Sequence, residues 1–211
     1  MFRSTCVLLV SLLLPTTVTA DSKTHTLDIY FIDVEGGAAT LLVTPYGESV
    51  LIDSGYPDNH GRDRDRIIHV AKDVAGLSKI DHAVVSHWHG DHYGNHASVA
   101  AEFGIGTFWD RGIPDILQED DKFEERIAAY RAACQNSSNS LKAGDSMPLK
   151  TGAVPLTVKV LTSSREVIPN VGPKNPFADR HVAIDEDKSD NAASLSVVFQ
   201  LGGFRFLCCG D

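Results

Sequence analysis

The stretch Ser86–Asn95, SHWHGDHYGN, constrains this chain more than any other part of it. Within six residues it sets four potential metal ligands: His87, His89, Asp91 and His92. His87 and His89 are two apart, so at the end of an extended strand they project to one face. Gly90 lets the chain turn. Asp91 and His92 then enter the first turn of the following helix, where a carboxylate also suits the helix dipole. Neutral imidazole and carboxylate are suitable ligands for zinc and similar divalent ions. A single histidine is more often a surface or structural residue. This spacing after an apolar strand points instead to a site for two ions, one on the paired histidines and one on the Asp-His pair. Water bound to such an ion has a pKa of roughly 7, which supplies hydroxide at neutral pH.

The segments around the cluster predict a mixed α/β chain. Thr26–Asp33, Ala39–Thr44 and Ser49–Asp53 read as strands, with turns at Gly36-Gly37 and Pro45-Tyr46-Gly47. Ile67, Ala71 and Val74 recur at helical spacing within Arg62–Ala75, and Gly76 is a stop signal. Ala83–Ser86 is a short buried strand, His92–Phe103 one helix, Thr107–Trp109 a strand and Lys122–Cys134 a helix with Phe123, Ile127 and Tyr130 on one face. Leu156–Leu161 is a strand, and 164–190 reads as a long loop. Leu195–Leu201 and Phe204–Cys209 form a hairpin around Gly202-Gly203. Strands that come both as meanders and in alternation with helices suggest an α/β sandwich. Its core is expected around Ile29, Phe31, Leu42, Leu51 and Val85.

Two domain calls follow. Residues 1–20 combine Arg3, the nine-residue apolar run Cys6–Leu14 and small residues before Asp21, the pattern of a secretory signal peptide. Residues 21–211 are read as one domain. The protein is therefore expected to be secreted or periplasmic, with no stable membrane span. Its net charge of -9 gives no broad basic surface, so nucleic acid is a disfavoured partner. Four cysteines are too few for a disulfide scaffold at this length. Cys208 and Cys209 are adjacent on a strand and point to opposite faces, so they pair poorly with each other. Pairing of Cys134 with either one is left open.

The HxHxDH cluster, together with Phe31–Thr44 (FIDVEGGAATLLVT), Val50–Gly55 (VLIDSG) and Ser189–Asp211, resembles the metallo-β-lactamase-fold hydrolase superfamily. Within it the chain is most similar to the branch related to the hydrolase domain of bacterial DNA-uptake (competence) channel proteins. The resemblance implies an αββα sandwich with a metal site along one edge of the two sheets. It implies His87 and His89 on a first metal, Asp91 and His92 on a second, and Asp211 as a carboxylate bridging both. Asp91 would be the catalytic group, and Asp53 would support the ligand loop by hydrogen bonding.

Two departures from the family pattern stand out. Many members carry a further histidine ligand about twenty residues before the bridging aspartate. Here that place falls near Asn191, whose amide oxygen is a harder donor. That leaves manganese open beside zinc, and iron is open because the family's fold also hosts redox di-iron sites. His181 lies in the long loop, and His96 is read as a surface or supporting residue. The family also continues past the position of Asp211 with another histidine ligand, so the domain is expected to be incomplete at its C-terminus.

These readings favour a secreted metal-dependent hydrolase acting through a metal-bound hydroxide on an ester, amide or lactam, or phosphodiester. The competing reading is a non-hydrolytic protein of the same fold, either a redox di-iron protein or a degenerate binding module.

Overall fold

The computed structural model describes residues 25–57, 60–169, 176 and 187–211. Residues 1–20, expected as a signal peptide, and His181 lie outside the described residues. Two sheets face each other. The first has six strands in the order β1-β2-β3-β4-β5-β6: Asp28–Phe31, Thr40–Val43, Ser49–Ile52, Ile80–Val84, Ile105–Asp110 and Asn139–Ser140. β1, β2 and β3 form an antiparallel meander, with Ile29 opposite Leu42 and Leu42 opposite Val50. From β3 onward the pairing is parallel. Parallel neighbours need crossover connections, and the helices supply them: α1 (Arg62–His69), α2 (Gly90–Tyr93), α3 (His96–Glu102) and α4 (Phe123–Ala133). The second sheet is antiparallel, in the order β10-β9-β7-β8: Phe204–Cys208, Ser196–Leu201, Leu156–Ser163 and Glu166–Val167.

Alternation along the strands divides the core. Leu42, Val50, Ile52 and Val84 face the second sheet and pack with Val158, Val160, Leu195, Val197 and Phe199. Leu41, Val43 and Leu51 point the other way, against Ile67 and Ala71 of the first crossover and Val99 of α3. Both faces of β2 and β3 are covered, so every residue in them is buried. A third cluster joins Ala83 and Val85 to Trp88, Tyr93 and the buried face of α4, Phe123, Ile127 and Tyr130. Trp88 sits between His87 and His89 in sequence yet is itself buried, so it anchors the ligand loop in this cluster.

Three expectations are corrected. Phe31 is 75% exposed. It lies on edge strand β1, where alternation marks two faces but not which of them is covered. The single helix expected over His92–Phe103 is two helices, because the chain leaves helical geometry at Asn95, with φ of -104° and ψ of 2°. The helix expected over Arg62–Ala75 changes to a wider π-type turn at Val70–Val74, which leaves Val74 exposed. Cys134, Cys208 and Cys209 are all free thiols.

Candidate metal centre

The centre forms where the ends of β3 and β4 meet the end of β10. Asp53 follows β3 and adopts a left-handed backbone, with φ of 58°, a conformation that aspartate tolerates better than β-branched residues do. The fold holds it there because its buried carboxylate fastens the ligand loop. It accepts hydrogen bonds from the Ser86 amide (2.8 Å), the Ser86 hydroxyl (2.7 Å) and Nδ1 of His92 (2.8 Å). The neighbouring Ser54 amide donates to the His92 carbonyl at 2.7 Å. His96, read from sequence as a surface or supporting residue, is fully buried and makes a 2.7 Å hydrogen bond with the Ser54 hydroxyl. Burial is the chief reason its pKa drops to about 4.

These bonds fix how the rings present their nitrogens. A carboxylate can only accept, so the Ser86 hydroxyl donates to Asp53. Its oxygen is then an acceptor for Nδ1–H of His87, 3.0 Å away. That leaves the lone pair of His87 on Nε2. By the same reasoning His92 donates from Nδ1 to Asp53, so its neutral ring keeps the lone pair on Nε2. Nε2 of His92 is buried with no hydrogen-bond partner and lies 3.4 Å from an Asp211 carboxylate oxygen. Donor atoms of His87, His92 and Asp211 all fall within 4.8 Å of one another. Nδ1 of His89 is 3.0 Å from Nε2 of His87. An Asp91 carboxylate oxygen lies 3.9 Å from Nε2 of His92. Of the five side chains read from the sequence as ligands, the structure brings His87, His92 and Asp211 into one mutually close group, with His89 beside His87 and Asp91 beside His92 outside it.

Electrostatics separates the two buried rings. Burial, followed by the charge of nearby His92, lowers the His87 pKa to about 4, so its ring is neutral at physiological pH. Burial acts on His92 in the same direction. The Asp53 hydrogen bond and charge outweigh it, and Asp211 and Asp91 add to them, so the net shift is upward. Orphaned buried nitrogen, converging lone pairs and facing carboxylates are the donor set of a divalent cation, and these residues fit one.

Glycines let the backbone come this close. At Gly37, φ is +63°, and a Cβ there would stand 1.8 Å from the Asp91 carbonyl oxygen. The Gly36-Gly37 turn thus docks on the ligand loop, where the Ala38 amide also donates to the Asp91 carbonyl. Gly210, also left-handed, lets the end of the second sheet lie against Ser86 and Ser194.

Asn191 lies in the short 3-10 helix Asp190–Ala193. Its amide oxygen is buried without a partner, and it lines a cavity of about 260 Å³ together with Ser194, Cys209 and Asp211.

Three participants carried no sequence signal. Glu119 meets Nε2 of His89 at 2.6 Å. Asp190 accepts the Trp88 amide at 2.5 Å and pairs with Arg111. Buried Asp63 accepts the amides of Glu35 and Tyr56, tying two loops beside the centre. All three act across long sequence separations, where spacing rules are silent.

Comparisons agree with this architecture. The family model of the metallo-beta-lactamase superfamily matches residues 32–181. Among solved structures, a B3 metallo-beta-lactamase described as the first with an active site glutamic acid is 14% identical over 86% of this chain and 58% of its own, with a TM-score of 0.50. BJP-1, a subclass B3 metallo-beta-lactamase of Bradyrhizobium japonicum, is 19% identical over 88% of this chain and 59% of its own, with a TM-score of 0.46. CmlA, a diiron beta-hydroxylase from Streptomyces venezuelae, is 14% identical over 86% of this chain and 29% of its own, with a TM-score of 0.48. The chain thus spans 58–59% of the length of these two lactamases. No curated protein matches it. At such identities the likeness is one of fold.

Proposed function

The chain belongs to the metallo-beta-lactamase superfamily, and on that premise we propose that it is a metal-dependent hydrolase whose centre is built from His87, His89, Asp91, His92 and Asp211. The observation that carries this reading is the convergence of the His87 and His92 lone pairs and the Asp211 carboxylate within 4.8 Å. His87 and His89 would hold one divalent ion, zinc or else manganese or iron. Asp91 and His92 would hold a second, with Asp211 reaching both. When bound, such ions polarise a carbonyl or phosphoryl oxygen and make water a competent nucleophile at neutral pH.

The chain's own groups do the rest. Asp91 stands at the start of α2 with its carboxylate partly open to solvent, placed to orient an attacking water. His92 and His87 are held by the Asp53–Ser86 network, so neither ring has to reorient as substrate arrives. The cavity beside Asn191 and Asp211 is open to solvent and gives a substrate its approach.

The apolar leader in residues 1–20 supports action outside the cytoplasm by a single domain over residues 21–211. The Asp33–Gly37 turn and the Asn191–Asp211 tail support kinship with the DNA-uptake hydrolase domains. An acidic chain favours a small ester, lactam or similar substrate over a tightly held polyanion. No helix among the described residues is long and apolar enough to cross a membrane.

The test is turnover by the metal-loaded intact protein on a panel of esters, lactams, lactones and phosphodiesters. Asp91→Ala should lose at least about a hundredfold in rate, roughly 3 kcal/mol of barrier, and keep its fold. Wild-type turnover by Asp91→Ala on a cleaved substrate would refute the assigned role. An absence of metal uptake by the wild type would refute the whole reading.

A further inference from the structure

Unlike His87 and His92, His89 is not held by the Asp53 network. Its ring is partly exposed, and Nε2 points away from His87 toward Glu119, whose Oε1 is 2.6 Å distant. The same Glu119 oxygen accepts the amide of Asp190 at 2.6 Å. Asp190 in turn accepts the amide of Trp88, the residue just before His89 in the chain. Glu119 therefore sits at a fixed point. One oxygen is pinned by a backbone N–H whose own residue grips the loop carrying His89.

From this geometry we infer that Glu119 is the positioning residue for His89, fixing its ring so that Nδ1 carries the lone pair offered to a metal. A carboxylate accepts only, so Nε2 of His89 carries a proton toward Glu119, and in the neutral ring Nδ1 is the nitrogen left with the lone pair. Nδ1 then faces Nε2 of His87 at 3.0 Å, the nitrogen on which the Ser86 bond leaves the other lone pair. Two acceptor nitrogens at that separation repel unless a cation lies against both. The carboxylate behind His89 also makes the ring a stronger donor, as partners behind metal-binding histidines do generally. The inference rests on the metal-centre reading above and deepens it. Glu119 is thirty residues from His89 in a segment with no motif, so nothing in the sequence marks it.

The experiment has two arms, both on the intact protein. In the first, nitrogen-15 spectra of the histidine rings are recorded without metal at mildly alkaline pH, where free imidazole is neutral. In the wild type, His89 should be protonated at Nε2. In Glu119→Ala it should become a mixture of tautomers. In Glu119→Gln, whose amide carbonyl still accepts both hydrogen bonds, it should stay close to wild type. In the second arm, zinc alone is titrated against a chromophoric chelator. Glu119→Ala should weaken one equivalent by about 10–100-fold and leave the other nearly unchanged, with Glu119→Gln losing less.

An unchanged His89 tautomer and unchanged zinc affinity in Glu119→Ala would overturn the inference. So would a drop in metal-free melting temperature with both equivalents weakened together, since that marks a structural role through Asp190. If the wild type takes up neither zinc, manganese nor iron, the metal-centre reading fails, and the tautomer spectra still decide whether Glu119 governs His89.

Discussion

The two walls of the candidate centre are held by different means. On the first sheet, the His87 and His92 rings are buried, and each is tied by Nδ1 to a group already bound to Asp53 or to Asp53 itself. On the second sheet, Asp211 follows β10 with its side chain 47% exposed. Its place comes from the strand, from the tight approach of Gly210 to Ser86, and from the bond between the Leu195 amide and the Ser86 carbonyl. The first wall is shaped by hydrogen bonds that exist whether or not an ion is present. The second is brought near by backbone packing and leaves its carboxylate free to respond to charge. Substitutions in the buried Asp53 network of the first wall should therefore damage the fold, and those in the second should damage binding alone.

The sharpest break in that contrast is Asp53→Ala. It strands the Ser86 amide, the Ser86 hydroxyl and Nδ1 of His92 in a buried place. Loss of a buried acceptor for several donors should cost about 4 kcal/mol in urea unfolding of the metal-free protein. A cost under about 1 kcal/mol would mean that packing, not Asp53, holds the rings.

Acid should act on the first wall next. His96 has its pKa lowered from 6.5 to about 4 by burial, so the unfolded chain takes up this proton before the folded one. Its contribution is complete above about pH 6.5 and is lost as pH falls toward 4, about 3 kcal/mol in all. Urea midpoints at neutral and acid pH should show the loss, and His96→Gln should flatten that part of the profile. An identical acid profile in the variant would remove His96 from the account.

Gly37→Ala tests the contact between the first-sheet turn and Asp91. The added methyl would meet a carbonyl oxygen at 1.8 Å from a left-handed backbone. A loss of about 2 kcal/mol is expected in thermal or urea unfolding, with Asp91 displaced and activity reduced. Wild-type stability would show that the turn can lift away freely. Asp211→Ala should have the smallest effect on folding, within about 0.5 kcal/mol of wild type without metal, while zinc affinity falls. A large loss of metal-free stability would erase the distinction between the walls.

Much of the first wall was legible in the sequence because its ligands are local. His87, His89, Asp91 and His92 follow one another at spacings that a strand end and a helix start convert directly into a shared face. Asp53 and Asp211 were legible only through family resemblance, since an Asp-Ser-Gly or Gly-Asp pair by itself is an ordinary turn. Glu119 and Asp190 were not legible at all, because their partners are 30 and 102 residues away. Phe31 shows the limit of alternation: period two identifies two faces of β1, while burial depends on what is packed there. The break at Asn95 was hidden because the helical pattern resumes immediately after it.

The centre draws its donors from both sheets, and this has a meaning in polymer terms. His92 and Asp211 are separated by roughly 120 residues of chain, so a cation gripping both closes one of the longest loops the molecule contains. Loop-closure entropy grows only slowly with length, by about 0.6 kcal/mol per doubling, so the fold has already met nearly all of that cost when the sheets pack. An ion held there would act as a removable cross-link between the two packed sheets. Its added stability is set by free ion concentration relative to the dissociation constant, so the surrounding medium, as well as the sequence, determines how firmly the two sheets are joined.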